Sequence, residues 1–296
     1  MLSFLLVCTL TSGNATVRSN FALATYNLTV TTTTGGTITV PSSSPIAVEQ
    51  DIATTITASA NTGYHFVNWT VLVGTASITD VNAISTTATL TSGDATVQAN
   101  FTINTFTITP SVAGNGSITP STPQTVDYGA DKQFTFSPDL GYHFDSLLVD
   151  DIHVDSTMSY TFKNVTSGPH TIEARFTINT YTLTYAAGTG GTITGTSPQT
   201  VNYNESGAAV TAVPTSGYHF VNWSDASTSN PRTDINVTGN ISVTANFAIN
   251  TYTLTYTAGA NGSITGISPQ TVNHGSDGTA VTAVPTSGYH FVNWSD

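Results

Sequence analysis

The chain has 296 residues, of which only 7% are charged, and acids outnumber bases 17 to 5, for a net charge of −12. Such a chain lacks the positive surface that binding to nucleic acids or anionic lipids requires, so neither is an expected partner. The single cysteine excludes an intrachain disulfide. The aromatic content favours a folded chain over disorder. Beyond the first ten residues, no stretch is long and apolar enough to predict membrane insertion.

The first ten residues are apolar and admit two interpretations. They could form a secretory signal peptide, but they lack a basic start and a clear small-x-small cleavage site. The segment from Cys8 to Val17 instead matches the segment from Ala88 to Val97 at most positions. This match favours residues 1–24 as the tail of a truncated repeat, while the signal-peptide alternative stays open.

Self-similarity dominates the rest of the chain, as in repeat architectures. The tetrad Gly-Tyr-His-Phe occurs four times, and an aromatic residue opens a strand-like segment at a similar interval before each copy. The tetrads begin at Gly63, Gly141, Gly217 and Gly288, and the opening aromatic residues are Tyr26, Phe106, Tyr181 and Tyr252. We therefore predict a tandem array of modules of about 70–80 residues. Their bounds are 25–104, 105–179, 180–250 and, for a truncated module, 251–296.

The first half of each module predicts two strands around a tight turn. The module opens with apolar residues alternating with threonine, as in Tyr181–Tyr185, which is typical of a strand with one buried face. A Gly-Gly or Asn-Gly pair follows, and such pairs favour a two-residue hairpin turn with positive φ at both residues. The pairs are 35–36, 115–116, 190–191 and 261–262. We expect the second strand, which contains Ile38 in the first module, to form a hairpin with the opening strand.

The second half of each module predicts a bend and further strands. A proline interrupts the sheet, because proline cannot donate to a strand ladder. The prolines are Pro45, Pro123, Pro198 and Pro269. A third strand, with inward residues such as Ile56 and Ala58, leads into the tetrad. The last strand carries the pattern apolar-x-Ala-x-Phe, at Val97–Phe101, Ile172–Phe176 and Val243–Phe247, and Val17–Phe21 echoes it with a central serine. No segment has a helical period.

The joints between modules have a constant length, although the modules vary. The last phenylalanine of one module and the first aromatic residue of the next are always five positions apart, as from Phe176 to Tyr181. The joints contain neither proline nor glycine, so their composition is not that of a flexible linker. A short joint of constant length indicates a fixed angle, and we predict an elongated, stiff rod.

The order of these motifs resembles the divergent branch of the internalin B-repeat family, also called Listeria–Bacteroides repeats. The residues that carry the resemblance are Tyr-Thr-Leu-Thr, the Asn/Gly-Gly turn, Gly-Tyr-His-Phe-Val-Asn-Trp and Val-Thr-Ala-Asn-Phe, and they recur along nearly the whole chain. The resemblance implies small β-grasp-like modules of extracellular bacterial and archaeal proteins, used as spacers and adhesion parts, without catalytic residues. Residues 105–179 depart from the pattern, since Leu147 stands at the place of Trp69.

The aromatic residues of the tetrad segment are the first candidates for a ligand surface. Trp69, Trp223 and Trp294 could stack on sugar rings, although a module of this size also needs large side chains in its core. Strand alternation directs the phenylalanine of each tetrad inward and the histidine outward. The histidines lie on separate modules, so they are not expected to converge on a metal ion.

An acidic cluster is the second candidate. Asp145, Asp150, Asp151 and Asp155 break the repeat symmetry and form the one local group that merits a test for a bound cation. The segment 147–154 also predicts two strands around an Asp-Asp turn, where aspartate is favoured. The sequence contains no calcium-loop motif, so we expect the turn and no dedicated metal site.

No motif typical of an enzyme occurs in the sequence, and near-copies of one module repeat the same few groups rather than gathering unlike ones. We therefore expect neither catalysis nor a cofactor. The leading hypothesis is a structural spacer or stalk of a secreted or cell-surface bacterial protein, partnered by its neighbouring repeats. One alternative is a module that binds glycans or a host surface protein at many weak sites. Another is an accessory region of a larger secreted enzyme.

Overall fold

A computed structural model describes residues 6–155 and 157–296. The strands of residues 25–104 are β1 (Thr25–Thr32), β2 (Gly36–Val40), β3 (Ile46–Glu49), β4 (Thr54–Ala60), β5 (Tyr64–Ile78) and β6 (Ser85–Ile103). Those of residues 105–179 are β7 (Thr105–Ala113), β8 (Gly116–Thr119), β9 (Gln124–Asp127), β10 (Lys132–Pro138), β11 (Tyr142–Val149), β12 (Ile152–Val154), β13 (Ser159–Phe162) and β14 (His170–Ile178).

Residues 180–250 contain β15 (Thr180–Ala187), β16 (Gly191–Thr194), β17 (Gln199–Asn202), β18 (Thr211–Pro214), β19 (Tyr218–Trp223) and β20 (Ile241–Ile249). Residues 251–296 contain β21 (Thr251–Leu254), β22 (Gly262–Thr265), β23 (Gln270–Asn273) and β24 (Thr282–Pro285). The described residues contain no helix, which confirms the mainly-β class. The β-grasp-like detail is not confirmed, because a β-grasp normally cradles a helix against its sheet.

Within the part of the chain that the structure describes, no helix has the length and apolar character needed to span a membrane.

The chain forms two compact units. Of the described residues, the first contains those of 6–110, 122–134 and 160–171, and the second contains those of 111–121, 135–155, 157–159 and 172–296. Residues 25–104 therefore lie wholly in the first unit, and residues 180–296 lie wholly in the second.

The sheet of residues 25–104 has the strand order β2-β4-β6-β1-β3, and β5 pairs with β6. The last strand, β6, lies parallel to β1, with Val97 opposite Val30. On its other side β1 is antiparallel to β3, with Tyr26 opposite Val48. The most deeply buried large residues are Leu28, Ile56, Trp69, Leu90 and Val97.

The predicted hairpin between the first two strands of each module is wrong. In residues 25–104, β1 pairs with β3 and β6, whereas β2 pairs with β4. The Gly-Gly pair therefore connects two strands that do not pair with each other. The other modules separate these strands in the same way. Gly35 has a φ of 98°, but Gly36 already belongs to β2. Gly36 is needed because a Cβ there would overlap the ring of Phe101.

In residues 180–250, a four-stranded sheet has the order β17-β15-β20-β19, and β16 pairs with β18. The last strand, β20, is parallel to β15, with Val243 opposite Tyr185. On its other side β20 is antiparallel to β19, with Phe247 opposite Phe220. The last strand, called the closing strand below, therefore lies between the opening strand and the tetrad strand. Its buried neighbours include Leu183, Tyr185, Val210, Ala212 and Trp223.

The strands of residues 105–179 are shared by the two units. In the first unit, β7 pairs with β9, with Phe106 opposite Val126. In the second unit, β8 pairs with β10, and β11 pairs with β12 and with β14. Residues 251–296, which the structure describes completely, form two strand pairs, β21 with β23 and β22 with β24.

Other strand predictions are confirmed. The central alanines of the closing strands, at 99, 174 and 245, are buried, as are Ile56 and Ala58 of the third strand. The prolines mark bends, but each is followed directly by a short strand that the sequence analysis missed. These strands are β3, β9, β17 and β23.

The segment before residue 25 differs from the closing strands that it resembles. Residues 6–24 are exposed and form no strand, and Phe21 is 93% exposed. The signal-peptide alternative concerns residues 1–10, of which 1–5 lie outside the described residues. Cys8 is an exposed free thiol.

Candidate functional site at the joints between repeats

Each joint brings together residues that lie far apart in the sequence. In the second unit, the backbone N–H of Asn179 donates to the carbonyl oxygen of Gly141 over 2.8 Å. The carbonyl oxygen of Asn179 accepts from the N–H of Tyr203, also over 2.8 Å. Gly141 begins the tetrad of one module, and Tyr203 follows β17 of the next. The joint asparagine therefore links the tetrad of one module to the following module through backbone atoms.

The side chain of the joint asparagine binds the tetrad histidine. Nδ1 of His143 lies 2.8 Å from Oδ1 of Asn179 and donates to it, since a carbonyl oxygen can only accept. The histidine is exposed, as strand alternation predicted. Its part in the joint was not predicted, because the asparagine that it contacts is distant in sequence.

The glycine of the tetrad makes room for an aromatic ring of the next module. Gly141 has a φ of 83°, where an L side chain is strained. A Cβ on this residue would also overlap the ring of Tyr203. The tetrad therefore requires glycine because of the neighbouring module, in addition to its own backbone conformation.

The other two joints have the same geometry. Their residues are Gly63, His65, Asn104 and Tyr128 in the first unit, and Gly217, His219, Asn250 and His274 in the second. The corresponding hydrogen bonds measure 2.7–2.8 Å. The sequence carries a signal for this site, since Ile-Asn-Thr recurs unchanged at all three joints.

Two of the three candidate ligand-binding tryptophans are core residues. Trp69 is 2% exposed and Trp223 is fully buried, so the suggestion of a sugar-stacking surface at these positions is corrected. Each indole N–H donates to a backbone carbonyl, Trp69 to Ala83 over 3.0 Å and Trp223 to Ser229 over 2.9 Å. Burial follows because each module has few other large side chains to fill its core. Trp294 is 48% exposed.

The acidic candidates form a turn rather than a cluster of ligands. Asp150 and Asp151 connect β11 to β12, with φ values of 51° and 63°, as the Asp-Asp turn prediction required. Asp145 accepts a hydrogen bond from Ser146, and Asp155 is exposed. Among the described residues, no group of three or more His, Cys, Asp or Glu side chains is placed to hold a metal ion.

The four repeats match one known domain family. A family model described as a divergent InlB B-repeat domain matches residues 26–105, 106–180, 181–251 and 252–296. The chain belongs to the divergent InlB B-repeat family. The resemblance found in the sequence is therefore confirmed. Three of the matched segments end one residue after a joint asparagine.

InlB B-repeats are usually non-catalytic and are associated with surface or secreted bacterial proteins. Their tandem arrangement in this chain fits the repeat region of a surface protein. No curated protein matches the chain in a sequence comparison.

The InlB B-repeat of residues 180–250 contains a buried charged cluster that the sequence analysis missed. Nε and Nη2 of Arg232 donate to the two carboxylate oxygens of Asp234 over 2.9 and 2.6 Å. Nη1 lies 2.7 Å from a carboxylate oxygen of Asp225. The hydroxyl of Tyr185 donates to Asp234 over 2.7 Å. The guanidinium also lies over Trp223, 5.5 Å from the ring centroid.

The cluster keeps its members in fixed protonation states. The hydrogen bond from Arg232 lowers the pKa of Asp234, although burial acts in the opposite direction. Burial, and then the hydrogen bond to Asp234, raises the pKa of Tyr185. The carboxylate stays charged and the phenol stays protonated near neutral pH, so the cluster is suited to packing rather than to proton transfer.

The lowered pKa of Asp234 predicts that this repeat loses stability in acid. An unfolded aspartate has a pKa of about 3.9, so just below that pH the unfolded chain binds more protons than the folded one. The stabilisation is complete above about pH 5 and declines as the pH falls through the folded pKa. We expect the urea midpoint, followed by NMR signals of β15 and β20, to fall from about pH 5 to about pH 3.

Two variants test the source of this acid sensitivity. Asp234→Asn should flatten the pH dependence of the urea midpoint, because the amide does not titrate. Asp277→Asn, at an exposed position, should leave it unchanged. An unaltered acid transition in Asp234→Asn would assign the effect to other carboxyl groups.

Proposed function

We propose that this chain is a stiff structural spacer in a surface or secreted bacterial protein. The observation that carries the proposal is the joint, where a single asparagine bonds the preceding repeat and the following repeat through its backbone. Its side chain adds a third bond, to the tetrad histidine. A spacer needs fixed joints, because freely jointed modules would not hold another domain at a defined distance.

The joints restrict the backbone itself, which supports the proposal over a loose tether. Both backbone groups of Asn179 are hydrogen-bonded, one to each side, so rotation about its φ or ψ breaks a bond. The ring of Tyr203 against Gly141 adds an apolar contact between the two repeats. Equivalent sets at the two other joints support the same role for each neighbouring pair.

The alternative of a multivalent glycan- or host-binding module has less support. Trp69 and Trp223 offer no ring face to a ligand, and the acidic cluster is a turn. We propose neighbouring repeats as the principal partners and no cofactor. A place beside the catalytic domain of a larger secreted enzyme is compatible with the spacer role and adds no chemistry to this chain.

The variant Gly141→Ala tests the spacer proposal. Alanine strains the left-handed backbone by about 1–2 kcal/mol and displaces the ring of Tyr203. We expect the two repeats to lose their fixed arrangement while each remains folded. Spin labels at the exposed strand positions Thr135 and Thr200, in a background with Cys8 replaced by serine, would report a single narrow distance distribution that broadens in the variant.

A second glycine provides the matched control. Gly275 also has a left-handed backbone, with a φ of 73°, but no atom lies within 4 Å of a Cβ built on it. Gly275→Ala should therefore leave the label distances unchanged. A broad distribution in the parent chain would contradict the spacer proposal, as would a narrow one in Gly141→Ala.

A further inference from the structure

Residues 115–116 form an exposed Asn-Gly pair where the chain passes from β7 to β8. Asn115 is exposed, and Gly116 begins β8. The equivalent pairs at 35–36 and 190–191 are both Gly-Gly, and the pair at 261–262 is again Asn-Gly. A glycine after an asparagine leaves its own backbone nitrogen free to approach the asparagine side chain, because it has no Cβ to obstruct the approach.

The backbone N–H of Gly116 points away from the strand that pairs with β8. That strand is β10, which is antiparallel and places Pro138 opposite Gly116. At the preceding position, the carbonyl oxygen of Asn115 accepts from the N–H of Asp139 over 3.2 Å. Hydrogen-bonded and non-hydrogen-bonded pairs alternate along an antiparallel ladder, so Gly116 and Pro138 form a non-hydrogen-bonded pair. The N–H of Gly116 therefore faces the other edge of β8.

That other edge of β8 is unpaired. In the three-stranded sheet β13-β10-β8, β8 is the outer strand. Over residues 6–155 and 157–296, the structure gives no hydrogen-bond partner to the N–H of Gly116 or to the side chain of Asn115. An attack by this nitrogen on the side chain therefore requires no backbone hydrogen bond to break first.

We propose that Asn115 is a site of spontaneous deamidation in the folded chain. The backbone nitrogen of Gly116 loses its proton to hydroxide and attacks Cγ of Asn115, which forms an N–Cγ bond and closes a succinimide ring. The bond between Cγ and Nδ2 breaks, and Nδ2 leaves as ammonia. Water then adds to one of the two ring carbonyls, and the ring opens to aspartate or isoaspartate. The net reaction consumes one water and releases one ammonia, and no atom is oxidised or reduced.

Both products weaken the pairing of β8 with β10. Each adds a carboxylate at residue 115, which the register places opposite Asp139, and like charges directly opposite each other destabilise a strand pair. Isoaspartate also inserts a carbon atom into the main chain, which displaces the carbonyl group that accepts from Asp139. The repeats of residues 25–104 and 180–250 carry glycine at this place and cannot undergo the change.

The variant Ala187→Asn is the matched control, because it creates an Asn-Gly pair whose glycine N–H is bonded. Ala187 is exposed at the end of β15, and the N–H of Gly188 donates to the carbonyl oxygen of Ala245 over 2.9 Å. This bond has to break before the nitrogen of Gly188 can attack. In the folded chain, the introduced asparagine should therefore deamidate about tenfold more slowly than Asn115.

Peptide mapping by mass spectrometry measures the two rates in the full chain, incubated in mildly alkaline buffer with and without guanidinium chloride. The variant Asn261→Gly serves as the background, so that 115–116 is the one natural Asn-Gly pair. The peptide with Asn115 should gain the mass difference between a hydroxyl and an amino group, at similar rates in the folded and the unfolded chain. The asparagine introduced by Ala187→Asn should reach that rate only in guanidinium chloride. Asn115→Gly should abolish the signal.

The comparison of folded and unfolded rates at Asn115 does not depend on the folding of Ala187→Asn. An amide at Asn115 that persists in the folded chain and converts only in guanidinium chloride would overturn the proposal. Equal rates at the two sites in the folded chain would do so as well, because the free N–H would then not select Asn115. The succinimide route also requires two products of equal mass that separate by chromatography, and a single aspartate product would contradict it.

Discussion

Replacing Trp223 with alanine should destabilise the repeat of residues 180–250 by about 3–5 kcal/mol. The indole is fully buried and lies 5.9 Å from the rings of Tyr185 and Phe220. Alanine leaves a large cavity, and it also removes the hydrogen bond to the carbonyl oxygen of Ser229. Amide hydrogen exchange of β15 and β20 in the whole chain measures this loss, with β6 of the first repeat as an internal reference.

The equivalent tryptophan of the last repeat is the matched control for this substitution. Trp294 is half exposed, so Trp294→Ala should cost less than about 1 kcal/mol. Trp223→Phe, which keeps most of the ring but loses the N–H, should cost about 1–2 kcal/mol. If Trp223→Ala left the exchange of β15 and β20 unchanged, the assignment of this residue to the core would be wrong.

Removing Arg232 should have an effect of similar size. Arg232→Ala leaves Asp234 largely buried without its counter-charge and leaves Trp223 without the guanidinium over its face. Breaking a buried ion pair from one side typically costs about 3–5 kcal/mol. Urea unfolding followed by the NMR signals of residues 180–250 at neutral pH measures the loss, which should be confined to this repeat.

Two further sets of variants distinguish the effect of the buried ion pair from the effect of removing any charged side chain. Arg175 forms an exposed ion pair with Glu173, so Arg175→Ala should change stability by less than about 1 kcal/mol. The double variant Arg232→Met with Asp234→Leu should recover most of the stability, because it removes both buried charges and keeps their volume. If Arg232→Ala left the free energy of unfolding unchanged, water would replace the guanidinium without destabilising the repeat.

Local alternation predicted most of the strands that form the cores. The pattern of Val243, Ala245 and Phe247 places successive apolar residues on one face of a strand, and any sheet that buries this face uses the same residues. For this reason the closing and third strands, the inward phenylalanines and the Asp-Asp turn were all predictable. The recurrence of the motifs likewise identified the repeat and its family.

Pairing between distant segments was not predictable in the same way. A Gly-Gly pair such as Gly35-Gly36 favours a hairpin when only neighbouring residues are considered. In the structure both edges of β1 are occupied, one by β3 and the other, in parallel, by β6 from far along the chain. A single sequence contains the alternation of each strand but does not specify which strands meet.

Because a single sequence does not specify which distant segments meet, the hydrogen bonds at the joints were not predicted either. The constant spacing from Phe176 to Tyr181 indicated a fixed connection, but the partners of Asn179 lie on a tetrad and on a turn of two different repeats. Likewise, nothing local relates Arg232 to Tyr185, which donates to the same carboxylate from β15.

The sequence by itself determined the repeat, its family, the strand faces and the absence of recognisable catalytic motifs, because these depend on periodicity and on residue type within short windows. Only the tertiary structure decided which strands pair, which tryptophans are buried, and that one asparagine at each joint bonds two repeats. The physical reason is that hydrogen bonds and ring contacts form between atoms that chain folding brings within about 3–6 Å, whatever their separation in sequence.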